Sequence, residues 1–249
     1  MAEDLTALDG AAGAALSVAA EGLAILIRLL DRELDADAIA GLKAIKAGDL
    51  FAKLLPVGAG RESGLALQGA LDALPDAPDQ VTLDDLAADY ADTFLTHGYR
   101  LSPSGSVWMT EERLERQEPM FAVREWYEHY GLASPDWRIR ADDHMVHELQ
   151  FVHHLIEDGT AVTAIDAANF LDRHVLPWMP EYGRKMHDRC QTRLLATTGA
   201  VLADFLTELR GLLTELTGIE PDIAPLPGDK PNPKAPDQEL YIPGVEPGW

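Results

Sequence analysis

Seven side chains able to bind metal or move protons fall within one short stretch of the chain. They are Asp142, Asp143, His144, His147, Glu148, His153 and His154, in RIRADDHMVHELQFVHHLIED, residues 138–158. Apolar residues run behind them: Met145, Val146, Leu149, Phe151, Val152, Leu155 and Ile156, largely at three- and four-residue steps, which predicts a helix. Asp142 and Asp143 stand where it should begin, placed to accept hydrogen bonds from orphan backbone N–H groups and to meet the positive end of the helix dipole. His144 and Glu148, four apart, share one face. His147 and His154, seven apart, lie along a second line.

A metal could sit between Asp143 and His147 at i, i+4. The zinc pattern H-E-x-x-H is absent, because Phe151 stands where its second histidine would, and no second Glu-x-x-His pair of a di-iron bundle appears elsewhere. The plain alternative is a set of polar histidines on a capped helix. Nucleophilic catalysis has less support: there is no G-x-S-x-G elbow, and Cys190, in MHDRCQTRL, reads as a mid-helix core residue. VGAGRESG (57–64) lacks the preceding strand of a phosphate-binding loop. Peptide binding fits better. Trp108 and Met109 sit on the loop GYRLSPSGSVWM, with Met120, Phe121 and Trp126 on the helix expected after it. Aromatic and Met side chains anchor peptides. Phe121 and Trp126 read as core; for Trp108, groove and core both stay open.

The elements expected to hold these residues are helical. Helices are predicted over about 4–33, 35–47, 49–55, 62–74, 83–97 (capped by Thr82), 110–130, 142–158, 160–173 and 183–217, with breaks at Pro177 and Pro180. No stretch alternates with period two between turn signals. The expectation is an all-α single globular bundle of roughly nine to eleven helices over residues 1–218. A Pro-rich extended tail follows over 219–249; its Tyr241, Ile242, Val245 and Trp249 suggest packing on the body or on a neighbouring copy, against the alternative of a solvated tail.

The chain has 249 residues and a formal net charge of −22. That balance argues against nucleic acid and against an anionic membrane, and favours a cationic partner or plain solubility. A single cysteine leaves no internal disulfide and fits a reducing compartment. The N-terminus is acidic where an export signal is basic. The apolar run 11–30 is interrupted by Glu21 and Arg28 and reads as a buried helix, too polar to span a bilayer comfortably.

Taken together, PSGSVWM, QEPMFAVREWYEHYGL, DDHMVHELQFVHHL and FLDRHVLPWMPEY resemble the TorD/DmsD/NarJ family of molybdoenzyme maturation chaperones, over about residues 83–210. Asp143, His144, Glu148, Leu149 and Phe151 match its E-P-D-H-x-x-x-E-L-x-F motif, with Ala141 and Asp142 in place of Glu and Pro. Ser106, Val107 and Trp108 match its E-S-V-W/Y motif, with Gly105 in place of the acid. The resemblance implies a cytoplasmic, non-enzymatic chaperone, without a cofactor of its own and inserted in no membrane. It would act as a monomer or a domain-swapped dimer. It would bind the twin-arginine signal, or a nearby segment, of a molybdoenzyme catalytic subunit precursor while the molybdenum cofactor is inserted. The client peptide would meet Trp108, Asp142, Asp143, His144 and Glu148, in a groove of Ser106, Val107, Met109 and Met120. Asp143 would pair with a client arginine. The other readings are a metal-dependent enzyme using the 142–154 cluster and a helical scaffold of a larger complex.

Overall fold

The structure, a computed structural model, describes residue 8 and residues 10–55, 58–96 and 98–227, with residue 59 by its backbone only. Tyr241, Ile242, Val245 and Trp249 lie outside the described residues. Among those described there are eleven α-helices, one π-helical turn and no strand. The fold is an all-α bundle, as the missing period-two pattern implied.

Local chemistry sets most boundaries. Helix α1, Gly10–Asp31, is long and apolar enough to cross a membrane by length and composition, more so than Glu21 and Arg28 suggested. In the bundle it buries Leu16, Leu23, Leu26 and Leu30, chiefly against α8. Asp35 caps α2, Ala36–Ala44, by accepting from Ala38 N at 2.8 Å. Helices α3, Ala47–Leu54, and α4, Gly58–Ala73, pack closely on each other. Helix α5, Gln80–Phe94, begins earlier than expected, because its cap is Asp79 and not Thr82. The Asp79 carboxylate accepts from Thr82 N at 2.9 Å and from its hydroxyl at 2.7 Å.

Two expectations fail between residues 98 and 130. The loop carrying Trp108 contains a short helix, α6, Gly105–Met109. The helix expected from Thr110 begins only at Glu118 (α7, Glu118–His129), with Pro119 in its first turn. Arg113 and Arg116, at φ 53° and 59°, hold the intervening chain in left-handed geometry that no helix accommodates. Helix α8, Met145–Asp158, ends at Gly159 with φ 65°. Thr160 and Thr163 form a reciprocal capping box for α9, Ala161–Phe170. A π-helical turn, Leu171–Val175, follows and stops before Pro177.

The predicted 183–217 helix is two helices, α10, Met179–Arg189, and α11, Arg193–Thr217. The break is bought by Asp89 of α5, whose buried carboxylate accepts from Gln191 N at 3.0 Å, Thr192 N at 2.7 Å and the Thr192 hydroxyl at 2.5 Å. Cys190 thus sits at a helix end, not mid-helix. Burial pushes its thiol up to about 12, so it is not an activated nucleophile. Helices α10 and α11 meet at backbone distance: a Cβ on Gly183 would lie 2.5 Å from the Gly199 carbonyl. A buried bidentate pair, Arg210 with Asp172 (2.7 and 2.9 Å), joins α11 to the π turn. The same Asp172 accepts from Asp222 N at 2.8 Å and Ala224 N at 2.9 Å, so residues 219–224 lie against the body.

Candidate functional site

The 138–158 stretch meets the Trp108 segment across a two-residue antiparallel bridge, Ser104 with His144. Gly105 N donates to Asp143 O and Met145 N to Pro103 O, both at 2.8 Å. The bridge shifts every expected role by about one residue. The cap of α8 is His144, whose Nδ1 accepts from Val146 N at 3.2 Å, not either aspartate.

Asp143 instead caps the facing helix α6. It is 0% exposed, and its Oδ2 accepts from Ser106 N at 2.6 Å and from the Ser106 hydroxyl at 2.5 Å. The Ser106 oxygen in turn accepts from Gln117 N at 3.2 Å, so one carboxylate holds both ends of the 106–117 segment. Asp142 is buried too. It accepts from Arg124 Nε at 2.7 Å, and its carbonyl accepts from the Tyr127 hydroxyl at 3.0 Å. Glu148, 1% exposed, lies beneath Gly105; a Cβ there would stand 3.3 Å from its Oε1 and 3.2 Å from Trp178 Nε1. Burial pushes the Asp143 carboxyl up, and pushes Glu148 well above the usual range with the Asp143 charge adding to it.

The anticipated acidic pocket is therefore not open to a ligand. Asp142, Asp143, Glu148, Ser106 and Met120 are all sealed inside. Asp142 and Asp143 have internal donors close at hand, and Glu148, pushed well above its usual range by burial, avoids carrying a buried charge. Trp108 is half-buried: its indole N–H donates to Ser102 O at 2.9 Å, its ring stacks on Trp178 at 6.0 Å, and Lys185 lies over it at 4.7 Å. Val107 and Met109 are half-buried beside it.

Of Asp142, Asp143, His144 and Glu148, His144 is the one that lines an open cleft, of about 280 Å³, while Phe151 of the same motif lines a different one. Phe94, Leu95, Pro103, Ser104, Glu115, Arg116, Ile139 and Arg140 also line it. Ile139 is 84% exposed and Leu95 62%, which is unusual for aliphatic side chains that flank a cleft. Arg140 is held by Asp31 at 2.5 Å, and Arg116 donates to Arg138 O at 2.8 Å. The apolar spacing of α5 sends Leu95 toward the core with Leu86, Tyr90 and Phe94, and the structure leaves it outside because no element covers it; Ile139 had no sequence-based role, although an isoleucine framed by two arginines, in Arg138–Ile139–Arg140, was the available signal. His147 turns away, its Nδ1 3.0 Å from Ala141 O, toward a second cleft of about 270 Å³ that includes His154. Among the described residues no group of three or more His, Cys, Asp or Glu side chains converges as metal ligands.

The sequence profile of the family described as "Nitrate reductase delta subunit" matches residues 61–182. The chain is 26% identical over 164 residues to "Chaperone protein TorD" of Psychrobacter sp. strain PRwf-1, covering 62% of this chain and 74% of the relative. It is 25% identical over 131 residues to "Chaperone protein TorD" of Aliivibrio fischeri, covering 49% and 61% respectively. Both the Trp108 segment and the start of α8 lie inside the profile match.

Proposed function

The chain belongs to the TorD/DmsD/NarJ family, and on that premise we propose that it is a cytoplasmic maturation chaperone for a molybdoenzyme subunit, without catalysis of its own. It holds the twin-arginine leader, or a segment near it, while the cofactor is inserted. The observation that carries the reading is the cleft at His144, flanked by Ile139 and Leu95 in exposed positions that the bundle's own packing does not explain. An apolar client segment enters there and covers both side chains. The basic end of a leader is drawn in by the charge of −22 acting over the whole surface, and not by Asp143. His144, bonded to the start of its own helix, stands at the edge of the cleft. Trp108, Val107 and Met109 form the adjoining half-buried ridge.

The test is titration of fluorescent twin-arginine leader peptides of molybdoenzyme subunits into wild type and an Ile139→Asp/Leu95→Asp double variant. The expected result is at least a tenfold weaker Kd, about 1.4 kcal/mol, with an unchanged denaturation midpoint. Equal affinities would remove the cleft from the reading. Undiminished retention of a client whose leader has been deleted would favour a scaffold instead.

A further inference from the structure

We propose that a cleft between α7 and the π turn is a second binding site, one that takes the carboxylate of a ligand. It is lined by other residues than the His144 cleft and does not depend on the leader reading.

The cleft has a volume of about 480 Å³. Four of its lining residues, Ala122, Glu125, Trp126 and His129, fall at i, i+3, i+4 and i+7 and so share one face of α7. Asp166 of α9 and the adjacent Arg173 and His174 of the π turn complete it. The turn closes from Leu176 N to Leu171 O at 2.8 Å. It has more residues per turn than an α-helix, so neighbours diverge less and both reach the same space. Such turns are rare and often stand at functional sites. The preceding Asp172 is locked in its buried pair with Arg210, which holds the turn in place.

The cleft collects donors that the chain does not satisfy. Arg173 is exposed and, among the described residues, has neither an ion pair nor a hydrogen bond. That is informative in a chain with 42 acidic and 20 basic side chains. The Trp126 indole N–H donates to no described residue, although its ring is fixed edge-to-face against Phe151, Phe170 and His174. His174 is 7% exposed, its Nδ1 is sealed without a partner, and no described residue bonds its other ring nitrogen. Burial keeps this imidazole neutral by pushing it down to about 4, so it still carries one N–H to donate.

A ligand that answers these groups brings acceptors and a negative charge. The planar fork of a guanidinium matches a carboxylate with two parallel bonds. The two acids of the cleft decide between anions. Asp166 already accepts from the Tyr130 hydroxyl, and Glu125 is exposed. Their charges oppose a phosphate dianion about twice as strongly as a carboxylate. Ala122 and the indole supply apolar surface for the rest of the ligand. A small organic acid and an acidic side chain of a polypeptide share this chemistry.

The experiment titrates four probes into the full chain at neutral pH: acetate, the blocked tripeptide Ac-Ala-Glu-Ala-NH2, its Gln counterpart and inorganic phosphate. The readout is the Trp126 indole N–H cross-peak in nitrogen–proton NMR, assigned by its loss in Trp126→Phe. Acetate and the Glu peptide should move it saturably, the Gln peptide should not, and phosphate should bind more weakly than acetate. Arg173→Gln, at an exposed and unpaired position, should weaken the Glu peptide at least tenfold with an unchanged denaturation midpoint. A peptide tighter than acetate supports a polypeptide source, and the reverse order a small acid. No saturable shift, an equal response to the Gln peptide, or full affinity in Arg173→Gln overturns the site. Phosphate bound more tightly than acetate overturns the carboxylate assignment. The Glu and Gln peptides are compared in wild type, so the decision needs no variant to fold. Leader-peptide affinity is measured separately, and its loss or retention bears only on the His144 cleft.

Discussion

Asp143 and His144 are consecutive residues of one motif with opposite fates. The aspartate is sealed and spends its charge on Ser106. The histidine caps its own helix and borders the cleft. The same contrast separates Asp142, Glu148, Ser106 and Met120, all buried, from Ile139 and Leu95, which stand in solvent. Met120 apart, residue type alone would assign these the other way round. A carboxylate goes inside when the fold supplies a donor for it, and an aliphatic stays outside when no element covers it. A motif residue can therefore fix the shape of a binding surface without belonging to it.

The sharpest attempt to break that contrast is Asp143→Ala. It leaves the Ser106 N–H and hydroxyl buried without their acceptor, and should cost about 2–4 kcal/mol, read by urea denaturation. Because Asp143 also anchors the 106–117 segment that carries Glu115 and Arg116 of the cleft, peptide affinity should fall in step with stability; full stability with lost binding would make Asp143 a contact residue and erase the distinction. The opposite pattern, weakened binding at constant stability, is expected for the Ile139/Leu95 double variant. His144→Ala tests the boundary residue. Loss of its cap should cost about 1 kcal/mol by thermal or chemical denaturation, together with a modest fall in affinity if the imidazole meets the client.

A pH prediction involves a third sealed group and leaves neutral stability nearly untouched. Burial, and secondarily Arg173, push His174 down to about 4 from its usual 6.5. The unfolded chain therefore binds the proton that the folded chain refuses. Stability from this group is present above 6.5 and is lost as pH falls toward 4. His174→Phe, which keeps a ring against Phe170 and Trp126, should flatten that acid limb in denaturation measured across pH. An unaltered limb would mean that His174 is solvated.

Much of the scaffold was legible because helix signals are local. Apolar spacing located α1, α5, α8 and α11, and Asp35, Thr160, Gly159 and Gly218 marked ends through their own backbone chemistry. Boundaries went wrong wherever a distant residue decided them. Asp89, about a hundred positions away, ends the run at Cys190 by satisfying the amides of Gln191 and Thr192. Residues 110–117 remain non-helical with Gln117 N tied to Ser106 and two arginines in left-handed geometry. The motif itself could be read, but its exposure could not: whether Asp143 faces a client or Ser106 depends on a bridge between segments forty residues apart.

The sequence by itself determined the helical class, the family's pattern and the polar cluster of residues 142–154. Helix periodicity and capping depend on neighbours within about four positions, and these are written consecutively. The tertiary structure alone decided which of those residues meet solvent. The bridge at Ser104 and His144 turns the Asp143 and Glu148 carboxyls inward, and burial depends on what the rest of the chain places on top.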